Sequence, residues 1–561
     1  MNSDTGLQRH VVHLADGRAV HLRTSGSGPP VLLCHESPRS SVALTLLAGF
    51  LADRFTVLAM DTPGYGLSDP LPLDRPEIPD YADAAIGLLD ALNVGRLPVY
   101  GTHTGASIAV EMARRHPDRI AGAVLDGYPV FTPAERAAFL DSYLPPFRPD
   151  AHGGHVAWLW SRVRDQFTVF PWNLWGAAAR LPRDPPPLAL HDQVAADILR
   201  AGDGYRTGYA AAFRHHGPGP VPHLKVPVTF AARTDDLLFD QLARLPDLPE
   251  GCTILPLDPD RPAWGAVIAD TLAGTTGDGT APDLAPDPAA IVAGPLRRQM
   301  VRPARHGADI MLHAGGPAAP DGTLLFLHDL PGAGRDWRPL LQRCVARYRV
   351  LAPDLPGCAD SAAGADSLDD AVAAMLALLE MLPAAPPLTI VARGLSVPLA
   401  LTLAGSLPAR PRLLLCDPAP ATATEAERYQ DYLPDLAPRW DGGHLFAAWT
   451  MLRDGLVYRP WHDRRHHAAR HLGDEMDLAG LHDRFADLMQ QPQGWHGTAM
   501  GAIGRPLSHA GPRDGAQVLL GADLPAVVGL RETLRSAGFA VDLVDPLAWP
   551  DAILAAVAAA H

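Results

Sequence analysis

The chain has 561 residues, which is too long for one hydrophobic core and suits two domains. Its 47 Lys and Arg against 62 Asp and Glu give a net charge of −15, which excludes a nucleic-acid partner because such proteins need a basic surface. The 5 scattered cysteines include no C-x-x-C pair, and the polar N-terminus and the lack of a long apolar run argue against a secretion signal or a membrane span. We therefore expect a soluble, cytoplasmic protein without a disulfide framework or a metal site.

The first half begins with strands that alternate with helices. Short apolar runs at Pro30–Cys34, Phe55–Met60 and Leu97–Tyr100 each predict a buried strand. The second strand ends at the turn Asp61–Ser68, and the third enters a helix through the tight turn Gly101–Gly105. This alternation predicts a parallel sheet with helices on both faces.

The same order of features occurs again in the second half. Predicted strands at Thr323–Leu327, Tyr348–Ala352 and Leu388–Val391 are followed by the same kinds of turn and helix. We read this as an internal repeat. Two domains of one architecture are therefore expected, and the repeat would allow the two halves to form a pseudo-symmetric pair within the chain.

A segment rich in Gly, Pro, Thr and Ala separates the two halves. It has no apolar period, so we predict a linker at 276–296 between domains at 1–275 and 297–561. Within each domain, the segments 130–220 and 420–505 are rich in tryptophan and lack strand signals. They predict helical lids, each inserted over its sheet.

The two predicted lids share uncommon residues at identical spacing. In the first lid these are Tyr143, His155, Trp160, Arg164 and Trp172, and in the second they are Tyr432, His444, Trp449, Arg453 and Trp461. The matched set supports the repeat. It leaves two interpretations open for the first lid: substrate contact, or packing of the lid on the body.

Together these motifs resemble the α/β-hydrolase superfamily over most of both halves. The strand that ends at His35–Pro38 resembles the oxyanion loop of that family, and Asp61–Ser68 resembles its D-x-P-G-x-G-x-S turn. Gly101–Gly105 resembles the G-x-S-x-G nucleophile elbow, and the strand Val226–Phe230 followed by Asp235 resembles the segment bearing the triad acid. The resemblance implies two tandem α/β domains with mostly parallel sheets, helices on both faces and a helical lid in each.

The first half departs from the family pattern at its reactive positions. His103 stands where the elbow usually carries serine, and Glu36 follows the oxyanion-loop histidine where glycine is usual. The segment Leu257–Trp264, which should carry the base histidine, has none. A Ser-His-Asp triad is therefore not expected.

The second half departs further. Gly394 occupies its elbow position, and Leu524 aligns with Asp235, although Asp523 is adjacent. The last loop, 545–549, also lacks histidine. Without a side chain at the elbow, this half is predicted to be a non-catalytic partner.

His103 is the centre of the candidate catalytic site. An imidazole there could act as a general base or as a nucleophile, and the helix dipole would favour its neutral form. Asp235 is the expected orienting carboxylate, with Asp126 as the second choice, and Glu36 could act as an acid or a second base. The resemblance places the oxyanion site at the backbone N–H groups of Ser37 and Thr104.

The candidate substrate-binding residues are those of the first lid, His155, Trp160, Arg164 and Trp172. We expect a cofactor-independent, metal-free enzyme that acts on a small carbonyl compound. It would hydrolyse an ester, a lactone, a thioester or a C–C bond. A lyase or isomerase that uses His103 as a general base is an alternative. A non-catalytic pseudohydrolase that binds a ligand or serves as a scaffold is the other.

Overall fold

The computed structural model describes most of the chain. The described residues are 7–275, 277–362, 365–383, 387–429, 431–470, 476–510, 516–524, 527–545 and 548–559. Residues 1–6 of the polar N-terminus, and residues 546–547 of the last loop, lie outside them. The described chain forms two compact units, one taking in residues up to Arg148 together with Trp158–Leu284, the other Pro149–Ala157 together with the chain from Ala285 onward.

The first unit is built on an eight-stranded sheet with the order β1-β2-β4-β3-β5-β6-β7-β8. Strands β1, β2 and β4 pair antiparallel, and all pairs from β4 to β8 are parallel. The strands are β1 Gln8–His13, β2 Ala19–Ser25, β3 Pro30–Cys34, β4 Thr56–Met60, β5 Leu97–Thr102, β6 Ile120–Asp126, β7 Val228–Arg233 and β8 Cys252–Leu257.

Helices cover both faces of this sheet. Those packed on the sheet are α1 Thr45–Leu51, α2 Ile78–Ala91, α3 Thr104–Arg115 and α8 Arg261–Ala273. The helices of the lid segment are α4 Pro133–Ala138, α5 Gly154–Gln166, α6 Leu188–Ala201 and α7 Tyr205–Arg214. Neighbouring residues of β3 face opposite sides, because Leu32 packs in the core cluster with α2 and α3 while Val31 packs in the cluster with α1 and α8. The centre of the sheet is therefore buried on both faces, as parallel strands require.

The second unit has the same strand order, β9-β10-β12-β11-β13-β14-β15-β16. Its strands are β9 Gly294–Val301, β10 Ile310–Gly316, β11 Thr323–Leu327, β12 Arg349–Pro353, β13 Leu388–Arg393, β14 Arg412–Cys416, β15 Ala516–Gly521 and β16 Ala540–Val544. Its helices are α9 Pro288–Ile291, α10 Arg338–Cys344, α11 Leu368–Met381, α12 Val397–Ser406, α13 Ala423–Arg428, α14 Gly443–Asp454, α15 Leu478–Leu488, α16 His496–Ile503, α17 Val527–Ser536 and α18 Trp549–Ala558.

The predicted fold class is confirmed: two tandem α/β-hydrolase-fold units, each with a mostly parallel sheet. Helices α4–α7 lie between β6 and β7, and α13–α16 lie between β14 and β15, so each lid is an insertion before the seventh strand of its sheet. Among the helices of the described residues, none combines the length and the apolar composition that crossing a membrane requires.

The segment predicted as a linker is partly structured at both ends. The backbone N–H groups of Arg96 and Gly279 bind Asp278 Oδ1 and Arg96 O, which ties the start of the segment to the first unit. At its other end, Gly294 already begins β9. Residue 276 lies outside the described residues. Gly and Pro are common in linkers and also in tight turns. The composition of the segment therefore did not distinguish a linker from the ordered connections found at its two ends.

Candidate active site

His103 occupies a sharp turn between β5 and α3. Its backbone has φ 48° and ψ −109°, a conformation that a non-glycine residue adopts at a cost of about 1–3 kcal/mol. A Cβ atom on Gly101 would overlap the carbonyl of Gly105, and one on Gly105 would overlap the carbonyl of Cys34. The two glycines therefore allow the close packing that turns the His103 side chain away from the sheet.

The His103 imidazole is held by Asp236. Its Nε2 atom lies 3.2 Å from Asp236 Oδ1 and 3.1 Å from Oδ2. The ring lies over Gly127, where any Cβ atom would overlap the ring carbon Cδ2. Since Nε2 faces the carboxylate, Nδ1 is the nitrogen left to meet a reacting molecule.

Asp236, not Asp235, is the partner of His103, and this corrects the expected orienting acid. The Asp235 carboxylate turns outward to Arg233 Nε at 3.0 Å and is 44% exposed. The turn after β7, closed by the Asp236 N–H to the Arg233 carbonyl at 2.9 Å, places the second aspartate on the side facing His103. The Leu238 N–H donates to Asp236 Oδ1 at 2.8 Å and fixes the carboxylate. The sequence shows two adjacent aspartates, Asp235 and Asp236, and motif alignment cannot tell which of them pairs with His103.

The ion pair controls the protonation of His103. Burial lowers the pKa of the imidazole, but the charge and hydrogen bond of Asp236, helped by Glu36 and Asp126, raise it to about 9. The same pairing outweighs burial at Asp236 and holds the pKa of that carboxyl well below its usual range. The expectation of a neutral ring is therefore wrong near pH 7. The Asp236 carboxylate acts on the ring at hydrogen-bond distance, whereas a helix dipole contributes only about 1 kcal/mol.

Glu36 acts on His103 through its charge. Its Oε1 atom lies 3.8 Å from Arg39 Nη1, and the side chain is 27% exposed. The neighbouring His35 is an anchor for the loop, since it bonds the Glu36 carbonyl through Nδ1 at 2.8 Å and accepts from the Thr62 N–H through Nε2 at 2.9 Å. The oxyanion loop is thus fixed to the turn after β4.

Asp126 at the end of β6 has structural partners. Its Oδ2 atom accepts hydrogen bonds from Tyr100 Oη and Trp264 Nε1, both at 2.8 Å. Burial raises the pKa of this carboxyl. The orienting role expected as a second choice therefore goes to Asp236. Trp264 lies in the segment where the family pattern places the base histidine.

The second unit shows what the oxyanion amides can hold. There the Asp329 Oδ1 atom accepts from the backbone N–H groups of Leu330 and Leu395, both at 2.8 Å. These amides align with those of Ser37 and Thr104 in the first unit. Two N–H groups that converge on one carboxylate oxygen form an anion site of the oxyanion type. In the first unit the longer Glu36 lies beside Arg39, and the described residues place no carboxylate on the Ser37 and Thr104 amides.

Two of the lid residues expected to contact substrate, His155 and Trp172, make contacts that recur in the second lid. The Asp150 N–H donates to His155 Nδ1 at 3.2 Å, and the Arg439 N–H donates to His444 Nδ1 at 3.1 Å. His155 also lies in Pro149–Ala157, which groups with the second unit. These contacts favour the packing interpretation for His155.

Trp172 has the same kind of counterpart. Its Nε1 donates to the Tyr143 carbonyl at 3.2 Å, and Trp461 Nε1 donates to the Tyr432 carbonyl at 2.8 Å. Trp172 is also buried in an aromatic cluster of the first lid that includes Tyr143 and Tyr205. The centre of its ring lies 5.2 Å from the guanidinium carbon of Arg162.

Trp160 and Arg164 lie on another side of the lid. The Trp160 ring is buried 6.2 Å from the ring of His191. Burial and the nearby charge of Arg164 both lower the pKa of His191. The arginine inside the aromatic cluster of the lid is instead Arg162. The sequence gives one signal for Arg162: it is not repeated in the second lid, where the aligned residue is Met451.

Comparison with known proteins supports the fold of the first half. Residues 29–151 match the family model described as the alpha/beta hydrolase fold. The chain is 36% identical over 123 residues to 2-(acetamidomethylene)succinate hydrolase from Mesorhizobium japonicum, covering 22% of this chain and 43% of that protein. It is 34% identical over 124 residues to haloalkane dehalogenase 2 from Mycobacterium bovis, covering 21% and 41%.

A solved structure, epoxide hydrolase A from Mycobacterium thermoresistibile, is also similar, with a TM-score of 0.39 and 21% identity over 48% of this chain and 98% of that one. The chain spans about two fifths of the length of the curated relatives it matches. The family match covers residues 29–151, which include the oxyanion loop and the elbow of the first unit.

Proposed function

We propose that the first unit is a cofactor-independent hydrolase of small carbonyl compounds in which a His103–Asp236 pair replaces the Ser-His-Asp triad. The observation that carries the proposal is the elbow itself. A strained turn presents an imidazole whose Nε2 binds a fixed carboxylate and whose Nδ1 faces away from it. Esters, lactones, thioesters and C–C bonds next to carbonyls are the candidate substrates.

The proposed hydrolysis has two steps. In the neutral ring, Nε2–H donates to Asp236, and the lone pair on Nδ1 removes a proton from water as its oxygen bonds to the carbonyl carbon. The negative charge that develops on the carbonyl oxygen is stabilised by the Ser37 and Thr104 N–H groups. When the intermediate collapses, the leaving group departs with its bonding electrons and takes the proton from Nδ1.

His103 has a second route to the same products. Nδ1 can attack the carbonyl carbon itself, and the leaving group then departs with its bonding electrons and takes a proton from solvent, which leaves an acyl-imidazolium whose Nε2–H still faces Asp236. Water adds to the acyl carbon and loses a proton to solvent, and Nδ1 departs with its bonding electrons as the acid forms. The relatives named above are hydrolases or a dehalogenase by name, which supports hydrolysis over the lyase or isomerase alternative. Mass spectrometry for an acyl adduct on His103 during turnover distinguishes the nucleophile from the general base.

The second unit is proposed to be non-catalytic. Gly394 provides no side chain at the elbow, and Asp329 fills the aligned anion site. Any reaction should therefore depend on the first unit alone.

Ligand binding without turnover is the second candidate function. The observation that favours it is the pKa of about 9 at His103, because an imidazolium beside two N–H groups attracts an anion at neutral pH. Such a protein would bind carboxylates most tightly below pH 9, whereas a catalytic imidazole would work best above it.

The experiment that tests the proposal is replacement of His103 by alanine. Turnover of an ester, lactone, thioester and β-diketone panel is measured at pH 9 for the wild type, His103→Ala and the control Asp235→Asn. We expect His103→Ala to lose turnover while its thermal unfolding stays cooperative, and Asp235→Asn to change rates less than about threefold. Equal turnover in His103→Ala and the wild type would refute the catalytic role.

A further inference from the structure

Arg162 on helix α5 is a buried cation inside the aromatic cluster of the first lid. Its side chain is only 1% exposed. The guanidinium lies 5.2 Å from the ring centre of Trp172 and 5.7 Å from that of Tyr205. Tyr143 joins the same cluster, with its ring 5.9 Å from that of Trp172. The aromatic rings thus cover Arg162 but provide no opposite charge.

The hydrogen bonds of Arg162 leave one edge of its guanidinium unused. Nη1 donates to Gln166 Oε1 at 2.7 Å. Within the described part of the chain, the buried Nε and Nη2 atoms have no hydrogen-bond partner. These two N–H groups lie side by side and point the same way, which is the fork that matches the two oxygens of a carboxylate. The unused edge therefore has the geometry of a carboxylate receptor.

The cluster around Arg162 is joined to the oxyanion loop. Tyr65 Oη donates to the Tyr205 carbonyl at 2.8 Å and accepts from the Tyr209 N–H at 3.0 Å. The Tyr65 ring in turn packs edge-on against His35, with centroids 6.0 Å apart. Burial raises the pKa of Tyr209. The charge of Arg162 lowers this pKa, and the charge of Glu36 raises it. Tyr209 thus lies within electrostatic reach of both Arg162 and the loop beside His103.

The second unit provides an internal comparison. Its aligned residue is Met451, which is buried in α14. Methionine has a similar length and no donors, so this lid position does not need an arginine to fold. A buried charge with unpaired donors destabilises a protein and is retained most readily where a ligand neutralises it.

We propose that Arg162 is the carboxylate-binding residue of the first unit, and that its Nε–Nη2 edge takes up the carboxylate of a small aromatic or apolar acid. This rests on the proposed function, since it names the substrate class of the same unit. The substrate would carry its carboxylate under the lid and its reacting carbonyl at His103. Tyr143, Tyr209 and Trp172 would line the apolar part between them.

The test compares an acid with its neutral isostere. Isothermal titration of the full-length protein at pH 7.5 uses 3-phenylpropionate and 3-phenylpropionamide as probes, then the shorter and longer homologues of each. We expect the acid to bind at least tenfold more tightly than the amide to the wild type. Arg162→Met should remove that preference, and Arg162→Lys, which keeps the charge but not the fork, should reduce it.

Arg148→Met is the matched control. It removes the same charge from an exposed position of the lid, and we expect it to retain the preference of the wild type. We also expect Arg162→Met to melt at the same temperature as the wild type or higher, because a structural arginine would lower it. Equal binding of acid and amide to the wild type, or an unchanged preference in Arg162→Met, would overturn the proposal.

The proposal can be separated from the hydrolase proposal by repeating the titration in a His103→Ala background. An Arg162-dependent preference that persists there establishes the carboxylate site even if no turnover is found. Turnover that requires His103 but shows no preference for acids would refute the role of Arg162 and leave the hydrolase proposal standing.

Discussion

The two units have one backbone plan and differ at the positions where chemistry would occur. Both elbows have a residue with positive φ, 48° at His103 and 58° at Gly394. Both oxyanion loops are anchored by a histidine that bonds the next carbonyl, at 2.8 Å for His35 and 2.7 Å for His328. The scaffold is therefore held in common, while the side chains presented to the site are not.

The difference separates architecture from function within one molecule. Residues that recur with matched contacts, such as His155 and His444, each accept a hydrogen bond from a backbone N–H five residues earlier. His103 and Arg162 occur in the first unit alone. His103 has a strained backbone, and the buried Arg162 guanidinium has two N–H groups, at Nε and Nη2, without a hydrogen-bond partner among the described residues. The second unit therefore serves as an internal control for the first. The variants that follow change the positions at which the two units differ.

The largest effect is expected from making the first elbow like the second. His103→Gly removes the imidazole, so we expect kcat/KM to fall at least about 10³-fold, while relief of the positive φ should offset the loss of the ion pair in thermal stability. Steady-state kinetics and calorimetry measure the two quantities. Residual turnover within tenfold of the wild type would contradict the assignment of His103.

Breaking the ion pair should have the next largest effect. Asp236→Asn removes the charge that raises the pKa of His103, so that pKa should fall below 9, and the loss of orientation should lower kcat about 10²-fold to 10³-fold. NMR titration of the imidazole follows the pKa. A pKa that stays at 9 in this variant would show that another group controls the ring.

A side chain at the second elbow should destabilise that unit. A Cβ atom on Gly394 would overlap the Asp329 carboxylate, so Gly394→Ala should lower the free energy of unfolding by about 2 kcal/mol. Turnover per folded molecule should not change. The double variant with Asp329→Ala should recover part of the loss, and strict additivity would rule out the overlap as the cause.

The smallest effect concerns stability against pH. Because the folded pKa of His103 is about 9 and its ordinary value is near 6.5, the stabilisation is complete below pH 6.5 and is lost as pH rises through 9. The imidazole is partly exposed, so the loss should be about 1 kcal/mol. Chemical denaturation at pH 6 and pH 10 measures it, with His103→Gly as the reference that should lack this component.

The fold could be predicted from the sequence because strand periodicity, turn glycines and the repeat all act locally. The elbow was found in the same way, since Gly101 and Gly105 flank a fixed turn. The partner of His103 was missed by one residue, because the choice between Asp235 and Asp236 depends on how the turn after β7 closes. Arg162 was missed because its unpaired edge results from packing among residues distant in sequence, such as Tyr205 and Trp172.

The pH dependence of kcat/KM tests the central claim most directly. With a pKa of about 9, only about one per cent of His103 is neutral at pH 7. If the neutral imidazole paired with Asp236 does the chemistry, kcat/KM rises about tenfold per pH unit from pH 7 and levels off above pH 9. A profile that is flat or falls over this range would contradict the account.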